Sequence, residues 1–305
     1  MSEQKTESTS LTAAIFGVVF FAMGPSIIAG AESDGITLAF WRVALASTFF
    51  AVLVVARCEF TMAALTKTAM AGIGFGTASA LLFEAVQLTS VANAVLLAVM
   101  QPVPLLIAGR VFFGERVRRL ELLWVLIAVG GAVIMVLSGS SSDSGDIRGD
   151  LLAAGSMLLP AVYFIGSRKA RASLTMVPFM MGLWFWATVS LIPVLFVSGA
   201  DLVPVNGEEW LRVVGIAILP GLGHFLTNYA HQGAPLSLIG VLQLFNPAVA
   251  TVLALWILDQ HITGFQWIGM AIVIVALTVY TVIRARGSQP PMGNAAPDTR
   301  TSAYA

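Results

Sequence analysis

The stretch "QPVPLLIAGRVFFGER", residues 101–116, decides the fold class. It is almost wholly apolar, yet it begins with two prolines around a valine and ends in a Gly-Glu-Arg corner. A proline inside a helix removes a backbone donor and frees a carbonyl one turn back, and in a bilayer that carbonyl needs another partner. The stretch therefore predicts a membrane helix that is interrupted at Pro102 and ends in a turn at Gly114.

Composition places the rest of the chain in the same class. Of 305 residues, 58% are hydrophobic and 10% are charged, whereas a soluble domain has about 25% charged residues. Sixteen basic residues balance sixteen acidic ones, so we expect no nucleic-acid partner. The single cysteine, Cys58, excludes an intrachain disulfide and a cysteine-based metal cluster. We predict an all-α membrane protein without a cofactor, and the absence of a Walker A sequence predicts no ATP hydrolysis.

The apolar residues fall into runs long enough to cross a bilayer, which takes about 20 residues per helix. We expect the polar segments 1–10 and 284–305 to be tails, and the first helix to be retained because no cleavage site follows it. The ten predicted spans are residues 11–30, 37–56, 69–88, 91–110, 120–138, 150–168, 174–198, 213–231, 235–258 and 263–283.

The positions of Lys and Arg predict the orientation, because cytoplasmic loops of membrane proteins retain these residues. With the N-terminus inside, 13 of the 16 Lys and Arg residues fall in inside segments, whereas Arg148 and Arg212 fall outside and Arg42 within a span. Segment 116–119 holds three arginines, which we expect to contact anionic lipid. We predict a multi-pass protein of the inner (plasma) membrane with both termini in the cytoplasm.

The chain also repeats itself at a shift of 145 residues. We predict a first repeat at residues 11–138, a polar outer linker at 139–149 and a second repeat at 150–283. Each repeat contains five of the predicted spans. Five is an odd number, so the two repeats must insert with opposite orientations, which is the plan of many secondary transporters. The coincidences are Gly76 with Gly221, Ser79 with His224, Glu84 with Tyr229, Gln87 with Gln232 and Gln101-Pro102 with Asn246-Pro247, and a different offset pairs Pro25 with Pro160.

The layout resembles a known family. The Gly-Glu-Arg corner at 114–116 follows a proline-bearing apolar helix and precedes a glycine-rich last span of the first repeat. This arrangement is similar to the EamA domain of the drug/metabolite transporter superfamily, here as two tandem copies. The resemblance implies export of amino acids, related metabolites or drugs. The chain has Gln101 and Asn246 where the family often has Glu before the proline, and Asp259-Gln260 at the second corner, so no charge-dependent role carries over there.

Glu84 is the one carboxylate well inside a predicted span. An ionisable carboxyl at membrane depth is costly unless it faces a cavity or a partner. Glu84 could bind a substrate amine or carry a coupling proton. The alternative is a packing carboxyl paired with a neighbour such as Gln87.

His224 lies midway along the eighth predicted span, with Thr227, Asn228 and His231 at i+3, i+4 and i+7. Residues at this spacing share one helix face, so the span has one polar face. The imidazole could bind substrate or pass a proton, or it could make an ordinary interhelical hydrogen bond. Metal binding is not expected, because the two histidines lie two turns apart without a third ligand.

The amides of Gln101 and Asn246 precede the predicted mid-helix prolines. They could satisfy the freed carbonyls of the kinked helices or meet a substrate carboxylate. Ser79 and Gln243 complete the polar candidates for substrate binding or coupling. The candidate hinges for alternating access are Gly24, Pro25, Pro102, Pro160 and Pro247.

Three further side chains are candidates with weaker signals. Tyr163 follows Pro160 by about one turn and is a candidate for aromatic contact with substrate, or for plain packing. Trp184 and Trp186 lie mid-span without an assigned role. Arg42 lies near the start of its span and is expected to extend its head outward, with binding of a substrate carboxylate as the alternative.

These features predict a secondary transporter, most simply an exporter of small metabolites such as amino acids, working by alternating access around a central cavity. Drug efflux, import and a passive channel stay open. An intramembrane enzyme is not expected, since no paired-Asp, HExxH or Ser/Lys arrangement occurs in a span. Coupling through Glu84 or His224 to protons, facilitated diffusion, and a homodimer through spans five and ten also stay open. The expected partners are a small-molecule substrate and the lipid bilayer.

Overall fold

The computed structural model describes residues 2–28, 31–88, 101–138, 147–246, 248–249, 252 and 263–288. These residues form ten α-helices and one short 3-10 turn, with no strand among them. The helices are α1 (Ser2–Ile28), α2 (Gly35–Ala56), α3 (Met62–Leu88), α4 (Pro102–Phe113), α5 (Arg119–Ser138), α6 (Ile147–Arg171), α7 (Met176–Ser198), α8 (Gly207–Ala230), α9 (Leu236–Leu242, continued by the turn Gln243–Phe245) and α10 (Gly264–Ser288).

Four helical segments in the described part are long and apolar enough to cross a membrane. Between 22% and 44% of each apolar window is buried inside the protein, so most of these side chains face outward, as a bilayer requires. The four segments are Gly35–Ala56, Met176–Ser198, Gly207–Ala230 and Gly264–Arg284, and shorter apolar helical stretches occur at Thr9–Gly24, Pro102–Phe113 and Leu236–Phe245. The chain is therefore a multi-pass helical membrane protein, and ten spans remain a prediction.

Helices of the first predicted repeat pack mainly against helices of the second. Helix α1 lies along α8, α3 along α6 and α7, α2 along α7 and α8, α4 on α9, and α5 on α10. The first helix of the first repeat, α1, contacts the third helix of the second repeat, α8. Likewise the first helix of the second repeat, α6, contacts the third helix of the first repeat, α3. The second, fourth and fifth helices each contact their own counterparts. The core of the protein thus lies between the two predicted repeats.

Helices α1 and α8 approach each other at two glycines. A Cβ atom added to Gly17 would lie 2.7 Å from Oγ1 of Thr227, and one added to Gly223 would lie 2.8 Å from the carbonyl oxygen of Gly17. Small residues allow membrane helices to bring their backbones into contact. These two glycines therefore set the distance between the helices.

The corner at residues 114–116 ends α4 as predicted. Gly114 is left-handed with φ 64°, and the Glu115 N–H bonds to the carbonyl of Gly109 at 3.1 Å. A left-handed glycine is a common helix terminator, since it lacks a Cβ atom. The predicted interruption at Pro102 stays a prediction, because residues 89–100 lie outside the described part. Pro102 is the first residue of α4 and does not interrupt a described helix; at that position its missing N–H costs no hydrogen bond.

The other predicted hinges lie within unbroken helices or outside the described residues. Helix α1 continues through Gly24 and Pro25 to Ile28, and α6 continues through Pro160. A Cβ atom on Gly24 would lie 3.4 Å from Cγ of Pro220, a proline of α8 that is not among the predicted hinges. Pro247 lies outside the described residues.

Several described helices also extend beyond the predicted spans. Residues 2–10, expected as a tail, form the first turns of α1, and the sequence has no proline or glycine there to stop the helix. Helix α6 begins at Ile147, inside the predicted linker, of which residues 139–146 are outside the described part. Helix α10 continues to Ser288, five residues beyond the predicted span.

Candidate functional site

His224 is surrounded by aromatic rings from four other helices. Its ring centroid lies 4.3 Å from Phe21 of α1, 4.4 Å from Phe75 of α3, 5.2 Å from Trp184 of α7 and 5.8 Å from Tyr163 of α6. Each of these rings is turned by 80° to 90° from the imidazole plane, which is the edge-to-face arrangement that aromatic pairs prefer. The histidine is 5% exposed. It therefore lies in the core, where both predicted repeats meet.

A hydrogen-bonded group of three side chains holds the imidazole. Tyr163 Oη lies 3.2 Å from Nδ1 of His224, and Nδ2 of Asn228 donates to Tyr163 Oη at 2.7 Å and to the His224 carbonyl at 2.8 Å. Asn228 thus uses both amide hydrogens, and the hydroxyl hydrogen of Tyr163 is available for Nδ1. If the Tyr163 hydroxyl donates to Nδ1, the ring hydrogen of a neutral His224 lies on Nε2. We call the following set the His224 cluster: Phe21, Phe75, Tyr163, Trp184, His224 and Asn228.

Some buried polar atoms in and beside this cluster have no hydrogen-bond partner among the described residues. They include Nε1 of Trp184, Oδ1 of Asn228 and Oγ1 of Thr227. His231, the last member of the predicted polar face, is also buried, and neither ring nitrogen has a described partner. Leaving one such group buried and unpaired costs about 1–3 kcal/mol. Each buried group of this kind therefore requires an explanation.

Arg42 and Ser79 lie next to the His224 cluster. Nη2 of Arg42 donates to Oγ of Ser79 at 3.0 Å, and the guanidinium carbon lies 5.5 Å from the centroid of the Phe75 ring. The expectation that Arg42 extends outward is therefore wrong, because the Ser79 hydroxyl and the Phe75 ring hold the guanidinium inward. The contact brings a positive charge to the edge of the cluster.

The structure brings together four of the eight polar candidates. Tyr163, His224 and Asn228 are bonded to one another, and Ser79 is linked to them through the Phe75 ring, one helical turn away on α3. The remaining four lie elsewhere. Glu84 is half-buried in α3 with no hydrogen bond to another described residue, and Gln101, Gln243 and Asn246 are half-buried at the ends of α4 and of the 3-10 turn.

The apolar members of the cluster were not predicted from the sequence. Phe75 precedes Ser79 by four residues and so shares its helix face, which is a signal that could have identified it. Trp184 was noted as a mid-span tryptophan, but nothing in the sequence separates it from Trp186. The indole of Trp186 turns away and donates to the carbonyl of Leu65 at 2.8 Å. Phe21 carries no comparable signal.

A second group of polar contacts lies at the corner after α4. The Glu115 carboxylate accepts the N–H of Leu236 at 2.7 Å and that of Ser237 at 3.0 Å, and it also pairs with Arg168 of α6. Arg284 of α10 lies 3.9 Å from the same carboxylate. Glu115 is thus joined to three helices of the second predicted repeat. We call these five residues the Glu115 network.

The charge of Glu115 is stabilised at this position. Burial raises its pKa, but hydrogen bonds from Ser237, Arg168 and Leu236 outweigh that effect and leave the pKa below its usual value. A cavity of about 390 Å³ opens beside the carboxylate and is lined by Arg110, Gly114, Glu115, Arg116 and Val117. This cavity is outside the His224 cluster, whose members do not line it.

A third group of polar contacts lies at the end of the protein opposite the Glu115 network. The buried Glu209 carboxylate accepts the N–H groups of Glu32 at 3.3 Å and Ser33 at 3.4 Å and pairs with Nε of Arg212 at 3.0 Å. Arg212 also donates to the carbonyl of Ile27 at 2.9 Å. Helix α8 of the second predicted repeat is thereby joined to the loop after α1 of the first. We call this set the Glu209 network.

Comparison with known proteins finds transporters that are similar to this chain. Residues 147–282 match the EamA-like transporter family. The chain is 25% identical over 70% of its length to solute carrier family 35 member G1 of Mus musculus, of which the match spans 61%. It is 26% identical over 67% of its length to the aromatic amino acid exporter YddG of Ancylobacter novellus, of which the match spans 71%.

A third relative is also a transporter, and a solved structure has a similar fold. The threonine/homoserine exporter RhtA of Salmonella typhimurium is 25% identical over 52% of this chain and 54% of its own. A solved crystal structure superposes with a TM-score of 0.79 at 19% identity, covering 92% of this chain and 99% of the other, which supports the fold. Residues 147–282 are therefore similar to the EamA-like transporter family, and the relatives matched over longer stretches are named as a solute carrier and an amino acid exporter.

Proposed function

We propose that the protein is a secondary transporter that exports small metabolites such as amino acids across the inner membrane. The observation that carries the proposal is the His224 cluster, a buried polar and aromatic site where five helices from both predicted repeats meet. Transporters of this general plan bind substrate near the bilayer midplane at the interface of their repeats. Two relatives are named as amino acid exporters, which supports the substrate class and the direction.

The mechanism we propose is alternating access between two inverted five-helix repeats. The reciprocal packing of α1 on α8 and of α3 on α6 supports such a pair of repeats. The Glu115 network and the Glu209 network would close the two ends of the path in turn, because each joins elements of one repeat to the other. We place the Glu115 network on the cytoplasmic side, since Lys and Arg concentrate in the segments predicted to lie there.

Two candidate functions of other classes are less well supported. A passive channel needs a continuous path through the protein. In the described part, aromatic rings pack around His224, and the carboxylates of Glu115 and Glu209 join the two predicted repeats on either side of it. The matched family and the relatives are transporters, which is consistent with a protein that is not an enzyme. Import and drug efflux by the same fold remain alternatives within the transporter class. A homodimer through α5 and α10 is also a proposal.

The test is efflux of radiolabelled amino acids from proteoliposomes that contain the full chain. We expect the wild type to move at least one amino acid and His224→Ala to lose most of that efflux. Tyr229→Phe, on the same helix but exposed, should behave as the wild type. Dependence on an imposed pH gradient would assign proton coupling, and independence would exclude it. A wild type that moves no amino acid would contradict the proposal.

A further inference from the structure

Two unpartnered atoms of opposite kind lie in the His224 cluster. Nε1 of Trp184 can only donate a hydrogen bond, and Oδ1 of Asn228 can only accept one. The two side chains are 3% and 0% exposed, and neither atom has a described partner. Both side chains are next to the same imidazole, because the Trp184 ring lies 5.2 Å from His224 and Asn228 bonds to the His224 carbonyl.

Packing alone does not account for this pair of atoms. Trp186, two residues along the same helix, satisfies its indole N–H with the carbonyl of Leu65 at 2.8 Å. The amide nitrogen of Asn228 is likewise satisfied twice, by Tyr163 and by the His224 carbonyl. An indole N–H and an amide group of the same kind, in the same helices, therefore do find partners in this packing. At membrane depth no bulk water is present to bond the remaining two atoms.

We propose that these two atoms bind the two charged ends of one zwitterionic amino acid. The substrate carboxylate accepts the hydrogen bond of Trp184 Nε1, and the substrate ammonium group donates to Asn228 Oδ1. This inference rests on the proposed function, because it names the substrate chemistry of the same site. A ligand that carries only one of the two groups leaves one protein atom buried and unpaired, which is a strong basis for discrimination.

The surroundings of the two atoms fit both ends of such a molecule. The guanidinium of Arg42 lies over the Phe75 ring, 5.5 Å from its centroid, and this positive charge favours a carboxylate nearby. The rings of Phe21 and Tyr163 attract an ammonium group by cation–π interaction. The same rings favour an apolar substrate side chain, and an aromatic one most, since edge-to-face packing adds to simple burial.

Entry of the substrate requires the helices to separate. In this structure the rings pack on His224, and α1 touches α8 at Gly17 and Gly223. The helices that form the cluster come from both predicted repeats, so a rocking movement between the repeats opens the site. The imidazole then gives up its ring contacts and the substrate takes their place.

The test compares three compounds that share one ring. L-Phenylalanine carries both charged groups, phenethylamine lacks the carboxylate, and 3-phenylpropionate lacks the ammonium group. Each competes with efflux of a radiolabelled amino acid that the wild type moves from proteoliposomes. We expect the two analogues to compete about tenfold to hundredfold less well than phenylalanine, the range that one hydrogen bond to a charged group gives.

Two variants assign the groups. Trp184→Phe keeps a ring but removes the donor, so it should lose the preference for phenylalanine over phenethylamine. Asn228→Leu removes the acceptor and should lose the preference over 3-phenylpropionate. Trp186→Phe, whose indole bonds to Leu65, is the matched control and should keep both preferences.

The outcomes separate the two proposals. If the wild type moves amino acids but the three compounds compete equally, the zwitterion inference fails while the proposed function stands. The same holds if Trp184→Phe folds and keeps the wild-type order of competitors. If the wild type moves no amino acid, both proposals fail. Because the wild-type comparison needs no substitution, a variant that does not fold leaves the test intact.

Discussion

The carboxylate of Glu115 accepts the backbone N–H of Leu236 at 2.7 Å, across 121 residues of sequence. With its bond to the N–H of Ser237, the carboxylate caps the first turn of α9, where helix N–H groups have no partner within the helix. A negative charge is also favoured at a helix N-terminus. The corner of one predicted repeat thus completes a helix of the other.

Replacement of Glu115 should destabilise the fold. Glu115→Gln removes the charge that pairs with Arg168 and weakens the cap of α9, at a cost of about 2 kcal/mol. Thermal unfolding in detergent measures the change. Glu208→Gln is the control, because its ion pair with Arg212 is exposed and such pairs contribute about 0–1 kcal/mol. Equal stability of the two variants would contradict the role of the Glu115 network.

The contribution of Glu115 should also depend on pH in a defined direction. Its pKa is lowered in the folded protein, so its charge stabilises the fold above the unfolded pKa of about 4.3. That stabilisation is lost as pH falls through the folded pKa. We expect the difference in melting temperature between wild type and Glu115→Gln to be constant near neutral pH and to shrink on acidification. A difference in melting temperature that stays constant down to pH 3 would contradict stabilisation by the charge of Glu115.

The contact between α1 and α8 predicts the effect of a single methyl group. In Gly17→Ala the new Cβ atom would meet Thr227 at 2.7 Å and the carbonyl of Gly223 at 3.1 Å, so the helices must move apart. Overpacking of this kind costs about 1–3 kcal/mol. Gly221→Ala, with nothing within 4 Å of its Cβ position, should keep the wild-type melting temperature or raise it. A similar melting temperature for both variants would show that the two helices do not pack closely.

The hydroxyl group of Tyr163 should matter for transport. Tyr163→Phe keeps the ring but leaves Nδ1 of His224 and one amide hydrogen of Asn228 without their partner. We expect efflux from proteoliposomes to fall about tenfold, the equivalent of one buried hydrogen bond. The control is Tyr229→Phe, an exposed tyrosine of α8. Unchanged efflux in Tyr163→Phe would show that this bond is dispensable.

The single cysteine gives a direct measurement of orientation. Cys58 is exposed in the turn between α2 and α3, a loop predicted to be cytoplasmic. A membrane-impermeant maleimide should leave Cys58 unlabelled in intact cells and label it after permeabilisation, and Cys58→Ser should abolish the signal. Labelling in intact cells would reverse the predicted orientation.

Local features of the sequence predicted local features of the structure. The spacing of His224 and Asn228 placed them on one face, and their i, i+4 contact is present. The Gly-Glu-Arg pattern predicted a helix end at this corner, and the left-handed Gly114 does end α4. Such features depend on residues within one turn of each other.

The partners across helices could not be predicted in the same way. Tyr163 and His224 come together from α6 and α8, and both helices are apolar on most of their surface, so periodicity does not reveal which face meets which. Glu115 was expected to form a turn, whereas its partners Arg168 and Leu236 lie 53 and 121 residues away. A polar residue in an apolar chain can be selected as a candidate from the sequence, but its contact partner is known only from the packing of the helices.

The reciprocal packing of the helices has a consequence for synthesis of the protein. Among the described residues, α1 to α5 have their main contacts with α6 to α10, so the first five helices enter the membrane before their packing partners exist. Membrane helices can insert singly and associate afterwards, and the early helices must therefore persist in the bilayer until translation is complete. A nascent chain that stops in the linker would present unpaired glycine-lined helix faces and become a substrate for membrane quality control.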